Sequence, residues 1–412
     1  MRKLLSITTF LFVVAGTVAG FASSNTITVL EDGLYFYRQN NLDEARPLLE
    51  EAVTADPKNA DARAWLAETY RRMGDLRKAV DTAEQALEIE PCHGFAHQVL
   101  GSAYNPMYGS WEGADRAKAW HHLQQAVACD PDDGNAWLDI WTEALYRNDD
   151  DMADKAVQAF VKTGILTPSI LAYNRWVLED LPENAILITN GDMDTYPAIA
   201  VQHVEHFRTD VAIVNYSLLN TSWYPRYVRD KYGVVLPYSE SALDQLRPER
   251  RDDGGVTTVA CKIVKGWIDL RRDGTLENPI AIAGTVSDHS FAEGTEHQLC
   301  LRGAYCEWLP EGVGSACDLD AVRRSLERID PSEFTGTLVS PDDRSSVRQA
   351  STNRVVANIT RLALQFSKYL IDAGHVVEAL QAIDWAEAFE NNTVQGPVFS
   401  DQIASLREET KK

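Results

Sequence analysis

The feature that most constrains this chain is a period. An acidic residue followed by proline recurs at Asp56–Pro57, Glu90–Pro91 and Asp130–Pro131, at intervals of 34 and then 40 residues. A fixed spacing in this range marks stacked units, each too small to bury its apolar face alone. Between the prolines lies AWLAETYRRMGDLRKAVDTAEQALEIEP, Ala64 to Pro91. Small residues on both sides of Gly74 let two helices pack closely. Gly74 itself permits the tight turn between them, and Pro91 ends the second helix.

Trp65, Leu66, Tyr70, Gly74, Ala79, Ala83, Ala86 and Pro91 fall where the tetratricopeptide repeat places large, small and breaker residues. The unit resembles that repeat, and LYFYRQNNLDEARPLLEEAVTADP, Leu34 to Pro57, has the same layout. The third unit is six residues longer. The surplus is assigned to NPMYGSWEGAD, Asn105 to Asp115, as the loop between its two helices. A fourth unit, Asn135 to Gly164, departs further from the pattern and serves as a cap. The resemblance implies an α-solenoid over residues 26–165. It either holds a protein or peptide partner in its groove or acts as a rigid spacer. His121 and His122, on the second helix of the third unit, read as surface or groove lining rather than metal ligands.

From Leu178 the texture changes. Apolar, β-branched runs at Ala185–Thr189, Val211–Ser217 and Ile280–Val286 alternate with helical patterns in YPAIAVQHVEHF and SWYPRYVRDKYG. Continuous apolar strands between helices predict a mainly parallel sheet covered on both faces. The fold class is therefore a tetratricopeptide-repeat α-solenoid, then a Rossmann-like α/β domain (176–320), a linker (321–350) and a helical tail (351–412). VTTVACKIVKGWIDL fits a further strand or a helix.

Parallel sheets bind ligands at the carboxyl ends of their strands. The first strand ends in Asn190, Gly191, Asp192, Asp194, Thr195 and Tyr196, the second in Asn215, Ser217, Asn220 and Thr221, the third in Thr285, Ser287, Asp288 and His289. If the strands are parallel, these clusters share one rim. The candidate ligand-binding residues are Asn190, Asp192, Asp194, Thr195, Tyr196, Asn215, Ser217, Asn220, Thr221 and Asp288. The competing account is capping: Asp or Thr before a helix satisfies backbone donors, and Asn does so in turns.

The stretch TNGDMDTYPAIAVQHVEHFRTDVAIVNYSLLNTSWYPRYV resembles the soluble C-terminal region of bacterial multi-span proteins related to protein O-mannosyltransferases, a region of unassigned chemistry. The shared pattern is carried by Gly191, Asp192, Asp194–Pro197, by Arg208, Asp210 and Val211, and by Asn215, Ser217–Thr221, Trp223 and Tyr224. NPIAIAGTVSD and LRGAYCEWLP are similar to later blocks, so the likeness runs from Leu181 to Pro310. The membrane half of that family is absent here, and with it the glycosyl-transfer machinery. The resemblance implies a fold, a rim and an association with glycan or glycoprotein handling. Met193 stands where the pattern favours a polar residue.

Composition narrows the functional classes. The net charge of −22 argues against nucleic acid and anionic lipid surfaces, which need Lys and Arg. Arg2 and Lys3 before an uncharged stretch from Leu4 to Ala22 predict a signal peptide over residues 1–22, the alternative being an uncleaved membrane anchor, and a periplasmic or secreted mature chain with no membrane span. An oxidising compartment permits disulfides among the six cysteines, and a bridge within Cys300, Cys306 and Cys317 is one expectation. The enzyme alternative to a binding scaffold is a metal-assisted hydrolase or glycosyl-transfer enzyme using Asp192 and Asp194. A three-residue Asp-x-Asp is weak evidence for it, and Tyr196 stands where a phosphatase motif needs Thr or Val. His289, Glu293, Glu296 and His297 fit no zinc-protease spacing. A Ca²⁺ ion on Asp192, Asp194 and Asp288 would match its oxygen preference. No cofactor or resident metal is expected.

Overall fold

The computed structural model describes residues 29–107, 111–287, 290–293, 298–310, 316–335, 345–393 and 396–411. The expected leader, and Asp288, His289, Glu296 and His297, lie outside the described residues. The chain forms two compact units that divide between Ala136 and Trp137.

The first unit is helical: α1 (29–38), α2 (Leu42–Ala55), α3 (Ala60–Arg72), α4 (Leu76–Ile89), α5 (Gly94–Tyr104) and α6 (Arg116–Cys129). The starts follow from side chains that accept otherwise orphaned N–H groups. Asn59 caps α3, Asp75 caps α4 and Asp115 caps α6. Gly74, at φ +83°, turns α3 into α4 in the left-handed region that glycine enters without strain. Ala79, Ala83 and Ala86 are wholly buried along α4. Gly101 shows why small residues are required. A Cβ there would stand 2.6 Å from Leu123 Cδ2, so a side chain would force α5 and α6 apart. The extra residues of the third unit lie between Tyr104 and Arg116, as expected, and Trp111 Nε1 donates to the Ala103 carbonyl at 2.9 Å.

Cys92 and Cys129 form a disulfide that joins the turn after α4 to the end of α6. The expected bridge within Cys300, Cys306 and Cys317 is not formed; these three and Cys261 are free thiols. Strand alternation keeps the three apart.

In the second unit, α7 (Gly134–Arg147, its first turn belonging to the first unit) and α8 (Asp150–Lys162) form the divergent fourth helix pair. There follow α9 (Pro168–Glu179), β1 (Ile186–Thr189), α10 (Asp192–Glu205), β2 (Ala212–Asn215), α11 (Tyr224–Tyr232), α12 (Glu240–Leu243), β3 (Glu249–Arg250), β4 (Val256–Thr257), α13 (Val259–Arg272) and β5 (Ile280–Ala283). The chain continues through β6 (Leu299–Leu301), β7 (Tyr305–Trp308), α14 (Leu319–Glu327), α15 (Ser345–Asp372), α16 (Val376–Asn392) and α17 (Ser400–Glu409). The ambiguous VTTVACKIVKGWIDL divides into β4 and α13, with Thr258 capping the helix at Cys261 N.

The sheet order is β2-β1-β5-β7-β6. β1 is parallel to both neighbours, with Ile186 opposite Ala212 on one side and Ile280 on the other. Every residue of β1, β2 and β5 is buried. Since successive side chains point to opposite faces, both faces of these strands are covered. The expected mainly parallel Rossmann-like sheet is corrected to a small mixed one. Only three residues, Arg302–Ala304, join β6 to β7, far too few for the crossover that parallel pairing needs, so the LRGAYCEWLP block is an antiparallel hairpin. Within it Cys306 is paired with Leu301, which places Cys300 on the other face, while Cys317 bridges to Leu301 from the far side. Leu301 thus stands between Cys306 and Cys317. The expected linker at 321–350 is corrected too. α14 fills its beginning, burying Val322, Ser325 and Leu326 at helical spacing, and α15 starts before residue 351.

Thiol titration of the unreduced chain in denaturant should find four free thiols. Six would show that the Cys92–Cys129 bridge is absent, and two would show a second bridge. Its reduction should destabilise the repeat unit by about 2–4 kcal/mol.

Candidate functional site at the strand ends

β1 ends at Thr189 and α10 begins at Asp192, so Asn190–Gly191 is the whole turn. The parallel pairing brings the ends of β2, β1 and β5 to one rim, and α10 starts there. Asp194, the third residue of α10, reaches back and accepts from Asn190 N–H at 2.7 Å and from Gly191 N–H at 2.9 Å. It also accepts the Thr285 hydroxyl, from the segment after β5. One carboxylate thus ties the turn after β1, the start of α10 and the exit of β5. Burial raises its pKa, while these hydrogen bonds pull the other way.

Beside it runs a directed chain of hydrogen bonds. Asn215 Nδ2 donates to Thr195 Oγ1 at 3.1 Å, and Thr189 Oγ1 donates to the Val214 carbonyl at 3.1 Å. The Thr189 proton is therefore committed, and the 2.6 Å contact between the two threonine hydroxyls is a donation from Thr195 to Thr189. Asn215 Oδ1 accepts Leu218 N–H at 3.0 Å, which fixes the turn leading to Asn220. The Tyr196 ring packs edge-on against Trp141 at 5.0 Å, and its hydroxyl lies 3.3 Å from Thr142 Oγ1.

The rim therefore has two layers. Asp194, Thr195, Tyr196 and Asn215 are buried and bonded to one another or to the backbone. Asn190, Asp192, Ser217 and Asn220 are exposed, and Thr221 is half-buried. Several of these still have internal bonds. Ser217 Oγ donates to the Asn190 carbonyl at 3.0 Å, Thr221 Oγ1 donates to the Leu218 carbonyl at 2.8 Å, and Asn220 Oδ1 accepts Ala260 N–H at 3.1 Å. Asp192 is the exposed carboxylate of the group. Crowding of protein around its carboxyl, then the charges of Asp139 and Asp194, raise its pKa against the pull of a Tyr196 hydrogen bond.

Asp192 and Asp194 do not converge. Two residues apart on a helix, they face different directions, and only Asp194 is buried. Among the described residues no group of three or more His, Cys, Asp or Glu is placed to hold a metal ion.

Arg208 and Asp210 prove to be a strap. Arg208 donates to the Leu178, Leu181 and Pro182 carbonyls at 2.7–2.8 Å and pairs with Asp210. The Arg208 hydrogen bond is the main reason the Asp210 pKa is lowered to about 2. Thr189 was indistinguishable in the sequence from an ordinary strand residue; its place at the last strand position was the only signal.

In the first unit His122 is not a plain surface residue. Its Nδ1 lies 3.0 Å from Nδ1 of His97, whose Nε2 donates to the Pro91 carbonyl at 3.1 Å. Burial, then the neighbouring His97 and His121, lower the His122 pKa to about 4.

A family model described as "Tetratricopeptide repeat" matches residues 36–93, and one described as "TMEM260-associated domain 2" matches residues 171–239. A curated relative, the TPR repeat-containing thioredoxin TTL4 of Arabidopsis thaliana, is 32% identical over 88 residues, covering 21% of this chain and 13% of its own length. Among solved structures, TTC0263, a thermophilic TPR protein of Thermus thermophilus, is 16% identical with a TM-score of 0.33, covering 54% of this chain and 100% of that one. PilF of Pseudomonas aeruginosa is 14% identical with a TM-score of 0.34, covering 66% and 98%. The chain carries tetratricopeptide repeats, the class of helical scaffold that binds proteins.

Three outcomes follow. Asp194→Ala orphans two backbone N–H groups and a hydroxyl, and should cost about 2–4 kcal/mol in chemical denaturation. Asp192→Asn should leave the fold stable. A raised carboxyl pKa means the folded chain resists ionisation, so stability falls as pH rises above the ordinary value of about 3.9. At pH 7 Asp192→Asn should therefore melt at or above wild type, with the gap closing in acid. For His122 the lowered pKa has the opposite consequence. The unfolded chain binds the proton first, so repeat-unit stability should fall from pH 6.5 toward 4, and His122→Gln should flatten that slope in pH-dependent melts.

Proposed function

We propose that this chain is an extracytoplasmic scaffold. Its repeats hold a polypeptide, and the outer layer of the strand-end rim, Asn190, Asp192, Ser217 and Asn220, holds a polar ligand linked to glycan or glycoprotein handling. The observation that carries the binding role is the tandem of helix pairs in the first unit, built on the repeat pattern that matches over residues 36–93. Repeat arrays of this kind offer extended surfaces to partner chains. The resemblance of Leu181–Pro310 to soluble regions of mannosyltransferase-like proteins, with which the match of residues 171–239 to TMEM260-associated domain 2 is compatible, supports the glycan link.

Export is supported by the leader-like stretch before residue 23 and by the Cys92–Cys129 bridge, since disulfides persist in oxidising compartments. No helix among the described residues is long and apolar enough to cross a membrane. The two-layer rim favours binding over turnover. Its buried carboxylate is committed to the fold, and the exposed groups offer hydrogen bonds without a paired acid and base.

Peptides selected from a random display library on the full chain should bind saturably. Asp61→Lys, an exposed change on α3, together with Gln98→Lys on α5, should weaken them at least tenfold while leaving the helical circular dichroism signal unchanged. Selected peptides whose affinity ignores both changes would rule out the first helices of the repeats as the contact face. A fusion of residues 1–30 to a reporter active only after export should be active; an inactive, cytoplasmic fusion would remove the extracytoplasmic part of the proposal.

A further inference from the structure

The second unit contains a cavity of about 320 Å³ at the far end of α10 from the rim. The α10 residues that line it, Ile199 to His203, lie roughly 10–16 Å along the helix from Asp192. The cavity walls are two facing helical stripes. On α8 the stripe is Asp150, Asp154 and Val157; on α10 it is Ile199 and His203, with His206 just past the helix end in the left-handed region. Both follow the spacing at which residues share one helix face. Such a stripe between neighbouring helices ordinarily carries aliphatic residues that close the gap. Here it carries carboxylates and imidazoles, and the gap stays open. α11 completes the wall with Tyr227 and Lys231.

Asp150 has an ordinary explanation, since carboxylates in the first turn stabilise a helix through its dipole. Asp154, a turn further on, lines the same space with its side chain 56% exposed. His203 Nδ1 stands 3.7 Å from Asp154, and Lys231 Nζ stands 3.9 Å from Asp150. Both contacts are too long to be hydrogen bonds. These polar groups face one another across the space without closing it.

We propose that this cavity binds a neutral polyhydroxylated ligand of one or two sugar-sized rings. The lining decides among ligand classes by charge. Charges of both signs line the space: a cation that pairs with Asp150 or Asp154 also meets Lys231, and an anion that pairs with Lys231 also meets the two carboxylates. A neutral polyol can donate hydroxyls to the carboxylates and accept from the ammonium and imidazole. Its apolar ring face lies on Tyr227 and Ile199, which are partly exposed. The volume is within the range of small-molecule sites, which are lined mainly by apolar groups with a few polar ones that fix orientation. This proposal is independent of the rim.

The test is calorimetric titration of the full chain with glucose, mannose and maltose, against glucosamine as the cationic arm, glucuronate as the anionic arm and serine as the zwitterionic arm. At least one neutral sugar should bind saturably and at least tenfold more tightly than every charged arm. Asp154→Asn and His203→Gln should each weaken it tenfold or more. Val204→Ala, on the exposed side of α10, should leave it unchanged. Thermal melts of the apo variants identify any that fails to fold, in which case Lys231→Met replaces it. Preference for a charged or zwitterionic probe, no neutral binding, or binding that survives the cavity variants overturns the proposal. Binding lost on Asp192→Asn and kept by Asp154→Asn overturns it in favour of the rim.

Discussion

The α/β domain depends on what the Asp194 carboxylate does. A parallel strand that runs into a helix leaves two problems at the same point: the turn's amides lose their sheet partners, and the helix start has none of its own. Asp194 answers both, because the third position of a helix is where a side chain can reach back over the turn. Its further bond to Thr285 ties that solution to a strand exit about ninety residues later in the chain. The neighbouring relay from Asn215 through Thr195 to Thr189 does the same between β2 and β1. Three strand ends are held by side chains, and the surface above them is left to Asn190, Asp192, Ser217 and Asn220.

The same economy governs the repeat unit with different chemistry. There the constraint is close approach: alanines and Gly101 bring helix axes together, and caps at Asn59, Asp75 and Asp115 start each helix without long connections. The third helix pair is longer than the first two, and the Cys92–Cys129 bridge spans that pair, from the turn that opens it to the end of its second helix. The bridge and the His97–His122 contact both bind α6 to the segment around Pro91. Acid should loosen the second of these ties and a reductant the first.

Much of this was legible in the sequence because it follows from local periodicity. The 34-residue repeat, the site of the six-residue insertion, the three parallel strands and the helix ending at Gly233 are all set by spacing and by turn residues. What was not legible depends on tertiary partners. The polar residues after β1 look alike in sequence, yet Asp194 is turned inward and Asp192 outward, a difference set by Thr285 and the turn amides. Cys300 and Cys306 are close in the chain but lie on opposite faces, because register and not separation decides which thiols meet. The β6–β7 hairpin escaped because its strands and its loop are short. The cavity behind α10 has no sequence signature, since its two walls come from helices well separated in the chain.

The central claim is that the Asp194 carboxylate holds the turn amides in the folded chain. Native-state hydrogen exchange of the Asn190 and Gly191 amides tests it most directly. The account predicts slow exchange at both, with an opening free energy close to that of the buried β1 amides, although Asn190 is itself a surface residue. Exchange at the rate of an unprotected loop would contradict it, and would mean that the strand ends are held by something else.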